Sequence, residues 1–349
     1  MTGTPIGAVD VMSMDANRIA VYLVNGMISV FDIPSSALVT FPIPAGDVGS
    51  TTPMIYGDKI VIASAPGLGP PSTLSYCLLP VPLAACGPWI PFAAGLPGIA
   101  FFALHGFPVF NRDVVAWPTA AGLSFYSFHS GAITAVPLAA IPNGISTNGD
   151  IISFEEAGFL NFIDTTDCIG PCVPPVTVTP FPADTLATGV SQSIIAFEEP
   201  LPVPLIRYYD LLTGAASPAG LGPAGALAPS VEPKVWGDRI AFRSKEADAG
   251  FDCNGDTVIS AVDDCLRYWN IRNPSATLLP SNSPAMNPGG QRAYAIYDHY
   301  IAFAGPGGLK YVTVPMRGDG NQDGEVNIVD LVITAACFGK SIKNTIPPC

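Results

Sequence analysis

The chain has 349 residues and a formal net charge of −13, with 15 Lys and Arg residues against 28 Asp and Glu residues. Only 12% of its residues are charged and 49% are hydrophobic, which excludes an intrinsically disordered chain and a long coiled coil. So few basic residues in an acidic chain leave no electrostatic footprint for nucleic acid, and the length is ample for a sizeable core.

Two short apolar patterns recur in seven units along the chain. The first starts at a turn residue and continues with alternating apolar positions; its copies begin at Asn17, Asp58, Asp113, Asp150, Ser193, Asp238 and His299. The second starts with Leu or Ile and usually has an aromatic third residue; its copies begin at Ile28, Leu74, Leu123, Leu160, Ile206, Leu266 and Leu309. Short alternating runs of this kind are typical of β-strands.

Further apolar runs precede the first pattern and follow the second in most units. Each unit of roughly 45 residues therefore contains four short strands, which is the organisation of a propeller blade. The sequence predicts an all-β fold, a seven-bladed β-propeller over residues 1–316 with a small C-terminal calcium-loop and helix module over residues 317–349. A double β-sandwich is the alternative, but it does not require a sevenfold repeat.

The repeat resembles the TolB-like and PD40-type propellers of secreted bacterial proteins. The closest matches are the segments that begin at Gly57-Asp58 and Gly237-Asp238, and the resemblance extends from residue 8 to about residue 315. It implies a fold and says little about activity.

The N-terminus determines how such a ring closes. The seventh unit ends at Val314 and Pro315, with no room for an outer strand. The N-terminus often supplies the missing strand, but only residues 1–6 are free, and Thr2-Gly3-Thr4-Pro5 is a poor strand former. Either these residues close the ring, or the last blade keeps an open edge that pairs with another chain.

The segment between Lys59 and Arg112 has no charged side chain but contains nine prolines. A membrane-spanning helix needs about 20 uninterrupted apolar residues. We therefore interpret the segment as short buried strands joined by uncharged loops.

The eight cysteines fall into four close pairs. Sequential pairing predicts the disulfides Cys77–Cys86, Cys168–Cys172, Cys253–Cys265 and Cys337–Cys349, although about 105 pairings exist for eight cysteines. Zinc is the alternative, but Cys168 and Cys172 have no second thiol pair nearby and the chain has only 3 histidines. Local disulfides imply an oxidising compartment.

No catalytic residues are predicted. His105 lies in an apolar run, His129 at a strand end and His299 at a turn, and we interpret all three as structural. Glu155-Glu156 and Glu198-Glu199 follow the second strand of neighbouring blades, which would give paired acids as in a glycosidase or lyase if the blades bring them together. Their equivalent positions in the repeat are explained more simply as loop residues.

The sixth blade contains an acidic insertion, residues 246–265, between its two patterns. Residues 252–263 have the ligand spacing of an EF-hand calcium loop. The predicted ligands are Asp252, Asn254, Asp256, Val258, Ser260 and Asp263. Thr257 stands where the loop usually has Gly, and Asp264 is an alternative last ligand. An acidic hairpin closed by Cys253 and Cys265 is the alternative interpretation.

A second calcium loop occupies residues 319–330. Its predicted ligands are Asp319, Asn321, Asp323, Glu325 through its backbone carbonyl, Asn327 and Asp330. Gly324 stands at the sixth position, where the turn requires a positive φ. Residues 328–338 are predicted to form the exiting helix, which Gly339 ends.

The C-terminal segment closely resembles one calcium-binding repeat of a dockerin, a type common at the C-termini of secreted bacterial proteins. Asp330 is the terminal acid, as dockerins have it. A dockerin pairs two such repeats and this end contains one. The resemblance therefore implies calcium binding, and docking onto a cohesin partner is one of the functional alternatives.

These features predict a secreted structural or adhesive surface protein, stabilised by two Ca²⁺ ions and by disulfides. Its predicted partners are copies of itself, assembled into an extracellular filament or layer through propeller edges and termini, or another extracellular protein. The alternatives are a carbohydrate-binding or carbohydrate-active propeller with a polysaccharide ligand, and a cohesin-docking subunit. Met1–Gly7 has no signal-peptide features, so secretion implies a signal that was removed or lay upstream.

Overall fold

The structure is a computed structural model. It describes residues 2–4, 9–23, 26–47, 49–50, 52–67, 71–105, 108–166, 176–182, 188–191, 193–199, 204–217, 230–244, 265–271, 273–278, 294–305 and 308–313.

These residues form seven antiparallel sheets, which we number as blades 1 to 7 in chain order. Blade 1 contains β2 (Val9–Asp15), β3 (Arg18–Leu23), β4 (Met27–Asp32) and β5 (Ala37–Pro42). Blade 2 contains β6 (Gly49–Ser50), β7 (Met54–Tyr56), β8 (Lys59–Ala65), β9 (Ser72–Leu78) and β10 (Ile90–Leu96). Blade 3 contains β11 (Val109–Asn111), β12 (Val114–Thr119), β13 (Gly122–Ser127) and β14 (Ala132–Pro137).

The remaining four blades follow the same order. Blade 4 contains β15 (Asn143–Thr147), β16 (Ile151–Glu156), β17 (Phe159–Asp164) and β18 (Val176–Pro182). Blade 5 contains β19 (Thr188–Ser191), β20 (Ile194–Glu199), β21 (Leu205–Asp210) and β22 (Ala215–Ala216). Blade 6 contains β23 (Ser230–Trp236), β24 (Arg239–Ser244), β25 (Cys265–Asn270) and β26 (Asn273–Leu278). Blade 7 contains β27 (Tyr294–Tyr297), β28 (Tyr300–Gly305), β29 (Gly308–Thr313) and β1 (Thr2–Thr4).

The first strands of the blades contact one another in ring order and surround a central channel. We call the side of the ring where these innermost strands end the turn face, because tight turns connect them there to the second strand. The other side is the opposite face. The seven-bladed β-propeller predicted from the repeat is confirmed.

The N-terminal strand closes the ring. β1 pairs with β29 in antiparallel register, with Thr2 opposite Tyr311 and Thr4 opposite Leu309. It therefore takes the outer position of blade 7, and the first of the two predicted ways of closing the ring is correct. The poor strand propensity of this segment is offset because β29 supplies a preformed backbone edge.

Side chains from both surfaces of each blade are buried, which accounts for the low charge of the chain. In β20, Ile195 and Phe197 pack with Leu160 of blade 4, whereas Ala196 packs with Ile240 and Phe242 of blade 6. All of these side chains are fully buried. Successive residues of a strand point to opposite sides, so the central residues of β20 must be apolar on both sides.

Polar contacts also connect neighbouring blades. The Ser13 hydroxyl donates to Pro53 O over 2.6 Å and accepts a hydrogen bond from Ile55 N at 3.0 Å. Ser191 Oγ accepts one from Gly237 N at 2.8 Å in the same way between blades 5 and 6. At Gly189, a Cβ atom would lie only 2.9 Å from Pro233 O of blade 6, so only glycine allows this close approach.

One helix differs from the sequence prediction. The uncharged segment was expected to hold only strands and loops, but Ile99–His105 forms a helix, α1, between blades 2 and 3. Phe102 anchors it as a fully buried side chain in the core shared by these blades. Among the described residues, no helix is long and apolar enough to span a membrane.

The disulfide between Cys77 and Cys86 is present, with the two Cα atoms 5.8 Å apart. It connects β9 to the loop that precedes β10. Trp89 in this loop donates from Nε1 to Pro42 O of blade 1 over 3.1 Å and packs against Phe41. The loop is therefore fastened both to its own blade and to the neighbouring one.

Candidate binding site at the central channel

The central channel holds a cavity of about 200 Å³ that all seven innermost strands line. Lining residues include Ser13, Asp15, Tyr56, Asn111, Thr147, Lys234, Trp236 and Tyr297. Concave sites of this kind, with aromatic walls and a few polar groups, are where small ligands bind.

Residues at the end of the innermost strands form the mouth of the channel at the turn face. They stand at equivalent positions, each opposite the first residue of the second strand: Asp15 opposite Arg18, Tyr56 opposite Lys59, Asn111 opposite Val114, Trp236 opposite Arg239 and Tyr297 opposite Tyr300. We call Asp15, Tyr56, Asn111, Trp236 and Tyr297 the mouth residues. Sequence analysis did not single them out, although each lies two residues before the turn residue of its repeat.

Two of the mouth residues are stacked aromatic rings. The ring centroids of Trp236 and Tyr297 are 3.8 Å apart with planes inclined by 29°. The stack joins blades 6 and 7, and both side chains are half-buried and line the cavity. It gives the channel mouth a rigid aromatic wall.

Asp15 supplies a carboxylate at the mouth. Its side chain is 6% exposed, and Oδ2 accepts a hydrogen bond from Gly57 N of blade 2 at 2.6 Å. Burial raises the pKa of Asp15 above 3.8, while hydrogen bonds from the Gly57 and Ala16 backbones and the Tyr297 hydroxyl, with the nearby Arg18 charge, oppose the shift. The same environment acts on Tyr297, whose pKa is raised to about 12 by burial and by the negative charge of Asp15.

Lys234 brings a positive charge to the cavity. It lies two residues before Trp236 on β23, further from the mouth. It pairs with Ala241, and the corresponding residues of other blades are small or apolar: Ser13, Met54, Val109, Ser146, Gly189 and Ala295. Among the described residues that line the cavity, Asp15 and Lys234 carry charges of opposite sign. Their formal charges cancel.

A row of aromatic rings extends from the mouth across the turn face between blades 2 and 3. We call Phe92, Phe110, Tyr126 and Phe128 the aromatic row. Phe92 lies 4.6 Å from Tyr126 and 5.8 Å from Phe128, and Phe110 lies 5.6 Å from Phe128, as centroid distances. Phe110 in turn contacts Tyr56 of the mouth at 6.1 Å. Phe92, Tyr126 and Phe128 are half-buried and Phe110 is buried, so a series of contacting rings connects the rim of the ring to the channel.

The acidic pairs considered for catalysis lie within strands at the opposite face and not in loops. Glu155 is buried and accepts hydrogen bonds from Asn143 Nδ2 at 2.8 Å and from Gly158 N. Glu156 Oε1 accepts hydrogen bonds from the backbone of the connection to blade 4, at Ala139 N over 2.7 Å. These carboxylates have structural partners within their own part of the fold.

The second pair has different partners. Glu199 forms an ion pair with Arg207 at 3.1 Å within blade 5, and Glu198 Oε2 accepts a hydrogen bond from Glu232 N of blade 6 at 3.4 Å. The described contacts of Glu198 therefore point to blade 6, whereas those of Glu155 are within blade 4. A carboxylate pair formed between blades 4 and 5 has no support in these contacts.

A buried polar cluster at the opposite face was not foreseen from the sequence. Glu232 has a φ of 58° and pairs with Arg243 at 3.1 Å, and the Tyr294 hydroxyl donates to Glu232 O. Burial raises the pKa of Tyr294 well above 10.0, and the charges of Glu232 and Glu198 add to the shift. The cluster connects blades 5, 6 and 7.

The histidines occupy varied positions. His105 ends α1, with Nδ1 3.0 Å from Asn143 Oδ1, and His299 Nδ1 lies 2.9 Å from Asp298 Oδ2 in the turn of blade 7. His129 is exposed in the turn after β13. Each described position is compatible with the structural role predicted for it.

The predicted calcium loops, residues 252–263 and 319–330, lie outside the described residues, as do the predicted helix over 328–338 and the boundary at 316–317. The strands beside the first loop are described: Ser244, the last residue of β24, pairs with Cys265, the first of β25. Both strand ends lie at the opposite face, away from the channel mouth. The side chains of the other six cysteines also lie outside the described part, so their pairing remains a prediction.

The fold and channel define a seven-bladed β-propeller. No family model and no curated protein matches the chain. The crystal structure of the computationally designed Ika8 protein superposes with a TM-score of 0.50 at 12% identity, covering 93% of this chain and 86% of that one. A chain of the crystal structure of the Mitotic Checkpoint Complex superposes with a TM-score of 0.57 at 13% identity, covering 90% of each chain. At these identities the likeness shows the fold alone.

Proposed function

We propose that the protein is an extracellular adhesive surface protein that recognises a ligand at the turn face and is stabilised by calcium and disulfides. The observation that carries the proposal is the series of contacting aromatic rings from Phe92 to Tyr56, with the Trp236–Tyr297 stack at the same channel mouth, on one face of a closed ring. A ring of covalently continuous blades is a rigid support, and rigid aromatic side chains give contact area at a low entropic cost.

The described acids favour binding over catalysis. Glu155 and Glu156 accept hydrogen bonds, and Glu199 forms an ion pair with Arg207. These contacts hold the strand ends in place. Carboxylates fixed in this way support the architecture of the opposite face, whereas the aromatic surface at the turn face serves a ligand.

The proposal also places the protein outside the cell. The Cys77–Cys86 disulfide is compatible with an oxidising compartment. The sequence patterns alone support the other parts of the proposal. These are secretion, calcium binding by the two predicted loops, the TolB-like relationship and the dockerin-like character of residues 317–349. The described strand ends that flank residues 252–263, at Ser244 and Cys265, lie at the opposite face, away from the aromatic row.

Adhesion to immobilised extracellular polymers tests the proposal. The full chain with calcium is applied to surfaces coated with polysaccharides or extracellular matrix protein, and retention is compared with that of Phe92→Ser. We expect retention on at least one coating and a weakening of about tenfold in the variant. Leu212→Ser, at a residue 84% exposed on blade 5, is the matched control. No retention on any coating would overturn the adhesive function.

Self-assembly is a second candidate, and two regular outer strands favour it. β5 and β14 each pair along six residues with the strand inside them and contain no charged residue. Leu38 and Ile133 are 40% and 50% exposed on these strands. Uncharged regular edge strands are sites of strand addition. Because β1 covers the edge of blade 7, that edge is not open for pairing with another chain. The edges at β5 and β14 are therefore the proposed contacts between copies.

Light scattering separates self-assembly from a purely adhesive role. We expect Ile133→Lys to shift the particle from an oligomer to a monomer in the presence of calcium, because a charge on an edge strand opposes pairing. Leu212→Lys is the control, since it adds the same charge elsewhere. A wild-type chain that stays monomeric at high concentration would overturn this candidate.

A further inference from the structure

We propose that the channel mouth binds a neutral sugar unit of monosaccharide size, which the side chains of Trp236, Tyr56, Asp15 and Asn111 contact. This rests on the proposed adhesive function and specifies its ligand. The cavity of about 200 Å³ is far larger than the roughly 10–15 Å³ that a single water molecule needs.

The charge of the cavity selects against an ionic ligand. Asp15 and Lys234 are the charged groups among the described lining residues, and they carry one negative and one positive charge. A ligand with a net charge would gain from one of them and be repelled by the other. A neutral ligand meets no such repulsion, and its hydroxyls both donate and accept hydrogen bonds.

The aromatic residues of the mouth provide a surface on which a sugar ring can pack. The C–H groups of a pyranose form an apolar face, and such faces pack against aromatic rings in proteins. Trp236 is held in place by the stacked ring of Tyr297, and Tyr56 is held by edge contact with Phe110. Both rings are therefore oriented before a ligand arrives, which reduces the entropic cost of binding.

The polar groups of the mouth are also fixed in position. Gly57 N and the Tyr297 hydroxyl hold the Asp15 carboxylate at the boundary of blades 1 and 2. Asn111 lines the same cavity from blade 3. Hydroxyls approaching from the turn face meet an acceptor and an amide that both accepts and donates.

Titration of the full-length protein with neutral monosaccharides tests the site. Glucose, galactose, mannose and N-acetylglucosamine are the probes, with choline and acetate as charged probes, and binding is followed by calorimetry. We expect at least one neutral sugar to bind, with affinity reduced at least about tenfold by Trp236→Ala. Trp89→Phe, in the loop fastened to blade 1, leaves the affinity unchanged.

Asn111→Ala is the second variant, because it disturbs the fold less than the loss of a stacked ring does. Circular dichroism verifies that each variant is folded. Binding of choline or acetate alone, binding of none of the probes, or sugar binding that Trp236→Ala and Asn111→Ala both leave intact would overturn the site. The adhesion assay distinguishes the two levels. If the wild-type chain adheres to a coating but binds no sugar, only the sugar site is overturned. If the wild-type chain adheres to no coating, the proposed function is overturned.

Discussion

Thr2 lies directly opposite Tyr311 in the antiparallel pairing of β1 with β29, so residues 309 positions apart in the sequence are neighbours in one sheet. The ring is closed by this backbone pairing and not by a covalent bond. The stability of blade 7 therefore depends on a segment of three residues at the start of the chain.

Breaking this pairing is expected to destabilise the whole ring. Thr4→Pro removes an N–H donor and should lower the free energy of unfolding by about 1–3 kcal/mol in urea denaturation. Thr4→Val, which retains both the donor and a β-branched side chain, is the matched control. Equal stability of the two variants would show that β1 does not hold blade 7.

Calcium removal is expected to lower the melting temperature. A ligand that binds only the folded state at about 100 times its Kd stabilises it by about 2.7 kcal/mol. Scanning calorimetry of the wild-type chain should therefore show a loss on chelation that calcium restores.

The two loops are separated by paired variants. Asp319→Ala with Asp323→Ala, and Asp252→Ala with Asp256→Ala, should each remove part of the calcium-dependent shift. Asp113→Ala, in an exposed turn outside both loops, should leave it unchanged. A melting temperature that does not respond to chelation would contradict both predicted sites.

Removal of the Cys77–Cys86 disulfide is expected to cost about 2–3 kcal/mol, because the cross-link restricts the unfolded chain over a short loop. The Cys77→Ala, Cys86→Ala double variant is compared with the wild-type chain by urea denaturation. Val81→Ala, at a position 83% exposed in the same loop, should change stability by no more than about 0.5 kcal/mol. If the double variant is as stable as this control, the disulfide does not contribute.

Tyr294→Phe tests the buried cluster of blades 5 to 7. The phenol donates to Glu232 O, and its loss leaves a buried carbonyl without that donor. We expect a decrease of about 1–3 kcal/mol in the free energy of unfolding. Tyr311→Phe, at a half-buried ring, is the control and should have a smaller effect.

The pH dependence of stability should report on Asp15. Its pKa is raised above 3.8 in the folded protein, so between the two pKa values the folded state binds more protons than the unfolded state. Its contribution to stability is therefore fully present below 3.8 and is lost as pH rises through the folded pKa.

Asp15→Asn removes this titration. The stability of the wild-type chain relative to Asp15→Asn should fall as pH increases from about 4 to about 7, as measured by urea denaturation at each pH. Asp113→Asn is the control with an exposed carboxyl. A relative stability that rises with pH would mean that pairing, and not burial, dominates the environment of Asp15.

The sequence predicted the helix less well than the strands. Ile99–His105 has no repeat and no charge to mark a helical surface, and Pro97 and Gly98 before it are typical of a turn. Its helical state follows from the packing of Phe102 into the core of blades 2 and 3. Likewise, Glu155 and Glu199 were expected in loops, but they pair with Leu160 and Leu205 in the neighbouring strands, so β16 and β20 include them.

By itself the sequence determined the number of blades, the strands that form them and the adjacent disulfide, because these follow from alternation and from residues close in the chain. Only the tertiary structure decided which strand closes blade 7 and which residues form the channel mouth. Thr2 and Tyr311, or Asp15 and Trp236, lie far apart in the sequence, and the circular order of the blades brings them together. Periodicity specifies each unit, but proximity between distant units exists only after the ring has formed.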